Sequence, residues 1–289
     1  MPDLRLALLP VLAAAWGLAP VGCHVFSPST DKVLDAVGLR VRPLGMARDA
    51  MQLEFVFAQR PGHDPLMGED LWNRLDTIGR RPAAMRASLA RHGIRVGQIG
   101  STPPPALEEL LGLTAPELGG ADVSGPARRK DLRGWRIYLR DGGQTEVILH
   151  DEPVAEAKIQ IAEAKTPREF FDVRFILRIT ARRLREGWVR LECLPEVHHG
   201  PRRLRHTATE AGWGFRTRQE IVPLFELKFT VDLTVGEMTV VTAAETSSGD
   251  SLGQQFFTTA TGLKKLLVVR LANMPRDRRL HTRLARSRD

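Results

Sequence analysis

An alternating run from Phe225 to Val235 restricts the fold of this chain more than any other stretch. Apolar side chains occupy every second position of the run, and polar side chains lie between them. Because successive side chains of a β-strand point to opposite faces, the pattern predicts a strand with one buried and one solvated face. The same alternation in 173–193, interrupted by a polar segment at 182–187, predicts an antiparallel hairpin that buries Cys193.

The remaining periodicity predicts an α+β fold. Strand patterns at 51–57 and 94–99 enclose two helical patterns, the second of which opens at Pro82. A later segment, 135–149, predicts a short hairpin because Asp-Gly-Gly lies between two apolar runs. We therefore predict a small β-α-α-β module followed by a mainly antiparallel, sandwich-like β domain.

The predicted boundaries follow shifts in composition. The chain has 289 residues, which is enough for two domains. A segment rich in Gly and Pro separates them, and an arginine-rich segment comes last. The predicted parts are a signal peptide (1–23), a linker (24–48), the α+β module (49–112), a second linker (113–134), the β-rich domain (135–273) and a basic tail (274–289).

The first residues have the pattern of an export signal. A charged start precedes an apolar run, Leu6–Leu18, which is as long as a signal-peptide core but shorter than the roughly 20 residues of a membrane-spanning helix. The small residues before Cys23, above all Gly22, resemble the lipobox of bacterial lipoproteins. That resemblance implies cleavage before Cys23 and lipidation of this cysteine. Secretion with another cleavage site is the alternative.

The charge of the chain favours anionic partners other than nucleic acid. Lys and Arg number 42 against 34 Asp and Glu, which gives a net charge of +8 and a pI of about 10.1. No basic stretch is interleaved with aromatic residues, as stacking on bases would require. An exported basic protein would meet acidic lipids instead, unless its charges are simply solvated.

Several strand patterns of the C-terminal half occur in the order of a known domain. They are Phe175–Thr180, Gly187–Glu192, Phe229–Val241, Ser251–Phe257 and Lys264–Leu271. This order resembles the C-terminal domain of secretins, the outer-membrane channels of type II and type III secretion and of type IV pili. The resemblance implies a β-architecture of that kind. It does not imply a pore, because Ala181 and Thr242–Ala244 replace the family's Pro and Gly-Gly.

Three histidines of the C-terminal half raise the question of a metal site. His198, His199 and His206 lie close to Glu196, and Gly200-Pro201 supplies a turn that would let neighbouring histidines converge. On a straight strand, adjacent histidines point to opposite faces, so we predict loop histidines that bind no metal. No cofactor is predicted for the chain.

One serine resembles a hydrolase nucleophile. The segment Gly249–Gly253 resembles the Gly-Asp-Ser-Leu motif of an esterase family, with Ser251 as the nucleophile. In that family the motif opens the catalytic domain and a His partner follows far downstream, whereas only His281 follows here. We predict no catalytic residue, and a hydrolase that uses Ser251 or the histidines is the third hypothesis.

These features predict a non-enzymatic envelope lipoprotein. We expect it in the periplasm, anchored by its lipid to a membrane, and the outer membrane is the preferred assignment. The expected role is a structural or assembly component of a secretin-like outer-membrane complex, with envelope proteins or its own copies as partners. The alternative is a monomeric ligand-binding β-sandwich lipoprotein. Exposed strand edges would favour assembly, and a deep pocket with convergent polar groups would favour ligand binding.

Overall fold

The computed structural model describes residues 50–79, 81–113, 132–160, 166–209, 212–245 and 251–275. In this part of the chain the strands are β1 (Met51–Pro61), β2 (Ile94–Ile99), β3 (Leu132–Leu139), β4 (Gln144–Ile148), β5 (Val154–Ile159), β6 (Arg168–Arg185), β7 (Trp188–Thr209), β8 (Gly212–Pro223), β9 (Phe229–Thr234), β10 (Met238–Ala243) and β11 (Leu263–Asn273). The helices are α1 (Glu69–Trp72), α2 (Ala83–Arg91), α3 (Pro105–Leu110) and α4 (Leu252–Phe257). Short 3-10 turns lie at Pro65–Met67 and Phe225–Leu227.

Two antiparallel sheets are built from these strands. The first has the order β2-β10-β11-β1-β3. In the second, β4, β6, β7 and β8 are neighbours in that order, while β5 pairs with another part of β6 and β9 with another part of β7. The long strands β6 and β7 pair with each other along most of 174–198. This pairing confirms the hairpin predicted for 173–193.

The main core lies between the facing sides of the two sheets. Phe55 and Leu267 of the first sheet share one buried cluster with Leu177 and Leu191 of the second. Alternation explains the arrangement, because every second residue of β9 is buried and the residues between them are only partly buried. Two sheets that pack across a shared core form a β-sandwich.

The other side of the first sheet is also buried. The helices α1 and α3 contribute Trp72, Leu107 and Leu110 to a second buried cluster, together with Val240 and Val268 of the sheet. With both faces covered, β11 carries a nearly continuous run of buried residues instead of an alternating one. Its sequence therefore has the apolar character of a central strand.

The predicted α+β module, 49–112, does not have a sheet of its own. Its two strands are not neighbours, because β1 pairs with β11 and β3 while β2 pairs with β10. All described residues belong to one compact unit, Ala47–Asp289. A separate β-α-α-β module is therefore not confirmed, since the strands between β1 and β2 come from the C-terminal part of the chain. Most of the predicted linker at 113–134 lies outside the described residues.

Two turns connect strands that belong to different sheets. Asp141–Gly143 leads from β3 to β4, but β3 pairs with β1 and β4 pairs with β6. The turn after β9 likewise leads from the second sheet to β10 in the first sheet. The hairpin predicted for 135–149 is therefore wrong. A tight turn also suits a chain that crosses from one layer of a sandwich to the other.

The run Phe225–Val235 is only partly a strand. Phe225–Leu227 forms a 3-10 turn, and β9 begins at Phe229. The side chain of Phe225 is 66% exposed, whereas Leu227 and Phe229 are fully buried. This corrects the prediction of a single strand over the whole run. Leu227 reaches the core from the turn, so the alternation of the sequence extends beyond the strand itself.

Candidate functional site

A cleft of about 930 Å³ opens between elements of both sheets. Its walls come from β1 and β11, from β5 and the segment before it, and from the residues around the end of α4. The polar lining includes Gln59, His150, Asp151, Gln255 and Lys265, and Phe175 supplies an apolar wall. We call this space the interlayer cleft. Segments far apart in the sequence converge on it.

Two adjacent lysines of β11 are buried in the first sheet. Lys264 is 4% exposed and Lys265 is 3% exposed. Lys265 lines the interlayer cleft, where its Nζ donates to the carbonyl oxygen of Leu149 at 2.6 Å. Burial lowers the pKa of Lys265, and the nearby Asp151 carboxylate partly opposes this shift. An ammonium group has three hydrogens, so Lys265 retains donors for a ligand in the cleft.

His150 is also buried in the interlayer cleft. Its Nε2 lies 2.8 Å from the carbonyl oxygen of Gln255, and its ring packs against Phe175 with 5.4 Å between ring centroids. A carbonyl oxygen can only accept, so Nε2 donates and Nδ1 of the neutral ring is an acceptor. Burial lowers the pKa of His150, and the hydrogen bond to Gln255 opposes this shift.

The interlayer cleft combines the features of a small-molecule site. It offers a donor on Lys265, an acceptor on neutral His150 and an apolar wall at Phe175. Ligand cavities in proteins commonly have a volume of this order and a few polar groups among apolar ones. The arrangement can orient a molecule that carries both a carbonyl or carboxylate oxygen and a hydrogen-bond donor.

Burial of His150 predicts that the folding stability of the chain decreases at acid pH. The unfolded chain binds a proton near the ordinary His pKa of 6.5, whereas the folded chain binds it only at lower pH. The contribution of His150 to folding stability is therefore complete above pH 6.5 and is lost as the pH falls toward the folded-state pKa. Denaturant unfolding at about pH 7.5 and about pH 5 measures this loss.

His150→Gln is the matched variant for that measurement, because its amide can still donate to the Gln255 carbonyl but does not titrate. We expect the variant to lose less stability in acid than the parent chain does. Part of the loss persists, since burial also lowers the pKa of His199. The control His63→Gln replaces an exposed histidine outside the interlayer cleft. Equal losses in His150→Gln and the parent chain would contradict this role of His150.

Among the described strands, the second sheet ends in two free edges on opposite sides. The strand β8 has 12 residues and pairs with β7 alone among the described strands. On the far side, β4 and β5 pair with β6 alone within the same set of strands. Both edges therefore present backbone N–H and C=O groups that no other described strand covers.

The two edges differ in charge. The strand β8 contains Arg218, which lies opposite Arg203 of β7. Like charges directly opposite each other in an antiparallel pair are unfavourable. On the other edge, β4 contains the exposed residue Glu146. An acidic strand on the outer side of β8 would reduce the repulsion between the arginines.

The predicted histidine cluster does not converge on one point. His198 and His199 lie in β7 rather than in a loop, and they face opposite sides of the sheet. The Nε2 of His198 lies 3.0 Å from a carboxylate oxygen of Glu196, whereas the ring of His199 packs edge-on against Phe170. Gly200 has a φ of 74° where the register shifts, so this segment is a β-bulge and the predicted turn is wrong.

The other residues considered as sites have structural roles or lie outside the described residues. The Oγ of Ser251 accepts a hydrogen bond from the Gln254 backbone N–H at 3.3 Å and caps α4. Cys193 is 1% exposed, and burial raises the pKa of its thiol to about 12. Cys23 and the side chain of His206 lie outside the described part.

The described residues contain neither a metal-binding cluster nor a membrane-spanning helix. No group of three or more His, Cys, Asp and Glu side chains within these residues could hold a metal ion. In the same part of the chain, no helix is long and apolar enough to cross a membrane.

Sequence reasoning missed Lys265 and His150. The sequence did contain an indication for Lys265, because Lys264-Lys265 adjoins the apolar run of β11. Charged residues are unexpected in a strand that is buried on both faces, and such local exceptions often mark functional sites. His150 gave no comparable signal, because it follows a short strand and precedes a turn-rich segment.

The relation of the chain to known proteins rests on its own sequence patterns. No protein-family model matches the chain, and no curated protein matches it. The resemblance to secretins is therefore carried by the segments between Phe175 and Leu271 alone.

Proposed function

We propose that this chain is a non-enzymatic envelope lipoprotein that assembles, with its own copies or with other envelope proteins, into a secretin-like outer-membrane structure. The pair of free edges on the second sheet supports the proposal best. A long uncovered edge is a template for another strand, and proteins usually cover or shorten such edges. The helix-capping contact of Ser251 supports the non-enzymatic part of the proposal.

The difference between the edges favours head-to-tail pairing. When β8 of one copy pairs with β4 and β5 of the next, Arg218 of β8 approaches Glu146 of the neighbouring copy. Such a contact joins two different surfaces, so every copy keeps one edge for a further copy. A closed ring results if the rotation between neighbours closes, in line with the resemblance to secretins.

The proposed location is the periplasm, at a membrane and by preference the outer membrane. The apolar run Leu6–Leu18 and the lipobox-like residues before Cys23 support export and lipid attachment. Two or more acyl chains on Cys23 would hold the chain there, because one chain gives only marginal binding. This location makes lipids and envelope proteins the expected partners, and nucleic acid is not among them.

Native mass spectrometry of the full mature chain, released from detergent, tests the proposal. We expect complexes of several copies, or of this chain with another envelope protein, and we expect the mass of acyl chains on each copy. A monomer without a protein partner at high concentration would refute assembly. A mature N-terminus without added lipid mass would refute the anchor and leave the assembly to be judged separately.

A monomeric ligand-binding lipoprotein is the second candidate. The interlayer cleft favours it, because buried Lys265 and His150 line a space of about 930 Å³. This candidate predicts a single copy that carries a small molecule. The same spectra separate the two candidates, because a monomer with an added small-molecule mass would support ligand binding and oppose assembly.

A further inference from the structure

A second cavity, of about 280 Å³, lies on the outer face of the second sheet. Phe175 and Leu177 of β6 belong to the main core, so the alternate residues Arg174 and Ile176 face away from it. The strands β4, β6, β7 and β8 all contribute to the lining. We call this cavity the arginine pocket, lined mainly by Arg174, Arg202, Arg218, Ile148, Ile176 and Ile221.

The three arginines of the pocket come from three different strands. Arg202 and Arg218 are exposed, and Arg174 is half-buried. Within the described residues, none of the three forms an ion pair. The Nε of Arg174 is buried and has no hydrogen-bond partner there. A buried donor without an acceptor is costly, and an anion bound beside Arg174, Arg202 and Arg218 would offset the positive charge that these residues bring to the pocket.

The acidic side chains nearby do not neutralise these arginines. Glu196 is 1% exposed, and its two oxygens are already engaged by Arg178 at 2.8 Å and by His198 at 3.0 Å. The described lining of the pocket includes one carboxylate, that of the exposed Glu146. With three arginines and one carboxylate among its described lining residues, the pocket is cationic.

The apolar residues of the pocket narrow the class of ligand. Ile176 is 2% exposed and Ile148 is 47% exposed, and both line the cavity with Ile221. A purely inorganic anion would use the arginines but not these side chains. A phosphate ester would use both, since its phosphate meets the guanidinium groups and its organic part meets the isoleucines.

We propose that the arginine pocket binds the phosphate group of a phosphate ester. Guanidinium groups bind phosphate oxygens through paired N–H donors, and they do so better than lysine ammonium groups. Two sources share this chemistry, namely the headgroup of an anionic phospholipid and a soluble phosphate ester. The pocket is complete within one copy, so the proposal goes beyond the proposed function and does not depend on assembly.

Vesicle co-sedimentation and calorimetric titration test the proposal. The full chain carries Cys23→Ser in these experiments, so that its own lipid cannot bring it to the vesicles. Vesicles that contain phosphatidylglycerol are compared with vesicles of phosphatidylcholine alone, and glycerol phosphate is the soluble probe. We expect binding to at least one of the two anionic probes, and we expect Arg202→Gln to weaken it by about tenfold.

Arg91→Gln is the matched control, because it removes one exposed arginine at the end of α2, outside the pocket. If Arg202→Gln weakens binding to the phosphatidylglycerol vesicles but not to glycerol phosphate, the ligand is a lipid headgroup. If Arg202→Gln weakens binding to glycerol phosphate, the ligand is a soluble ester. Both results support the pocket. The proposal is overturned if neither probe binds, or if Arg91→Gln weakens binding as much as Arg202→Gln does. Arg202 is exposed, so thermal unfolding should confirm that its variant folds normally.

Discussion

Gly253→Ala is expected to lower the free energy of unfolding by about 3 kcal/mol, or roughly 10 °C in melting temperature. Gly253 lies in the first turn of α4, where a Cβ would overlap the carbonyl group of Gly93. That carbonyl oxygen accepts from the Ala244 N–H at 2.7 Å, and the Gly253 N–H donates to the carbonyl oxygen of His92 at 2.8 Å. The clash is with backbone, so α4 has to move away and these hydrogen bonds lengthen.

Gly100→Ala is the matched control for this prediction. Gly100 follows β2, and an added Cβ there would meet no atom within 4 Å. Its effect is expected to stay within about 0.5 kcal/mol. Thermal unfolding followed by circular dichroism measures both variants. Equal melting temperatures would show that the close approach of α4 to Gly93 is not a constraint on the fold.

Phe175→Ala is expected to cost about 4 kcal/mol, because it removes a large side chain from the middle of the core. Phe175 is 1% exposed, and its ring lies 4.7 Å from that of Phe256 and 5.4 Å from that of His150, between ring centroids. It therefore links β6 to α4 and also forms a wall of the interlayer cleft. The loss of this ring leaves a cavity that neighbouring side chains fill only partly. Urea titration measures the change in the unfolding midpoint.

Phe171→Ala provides the comparison on the same strand. Phe171 is 58% exposed, so its removal is expected to change stability by about 0.5 kcal/mol or less. The two variants delete the same group, and they differ in burial. A similar loss in both would contradict the assignment of Phe175 to the core between the sheets.

The sequence predicts the strands of this fold better than their partners. The alternation of β6 and β7 indicates both strands and their hairpin, since the turn that joins them is short and their apolar faces match. The segment 135–149 has an equally clear turn, yet its strands belong to different sheets. Local periodicity reports which face of a strand is buried, and it carries no information on whether a turn ends a hairpin or crosses to the other layer.

The candidate sites depend on contacts between distant segments, which explains why the sequence did not indicate them. Lys265 and His150 meet in the interlayer cleft only because β11 and the segment before β5 face one another. Arg174, Arg202 and Arg218 share the arginine pocket only because β6, β7 and β8 are neighbours in the second sheet, with Arg202 in the β-bulge of β7. For His198 and His199 the sequence was sufficient, because strand alternation correctly indicated that the two side chains point to opposite faces of the sheet.

Crosslinking between the two free edges tests the proposed assembly most directly. Cysteines at Gln144 of β4 and Thr217 of β8 are introduced into a chain that carries Cys23→Ser. Both positions are exposed, whereas Cys193 is buried with a thiol pKa raised to about 12 and does not compete. Neighbouring strands lie about 4.8 Å apart, so a short bis-maleimide can join edges that pair, while β4 and β8 of one copy are separated by two strands.

Head-to-tail pairing predicts a ladder of covalent dimers and larger species in the double-cysteine chain. A mixture of the two single-cysteine chains should give dimers only, because each copy then has one reactive edge. Either single variant alone should give no such product. A double-cysteine chain that stays monomeric under the same conditions would contradict assembly through these edges.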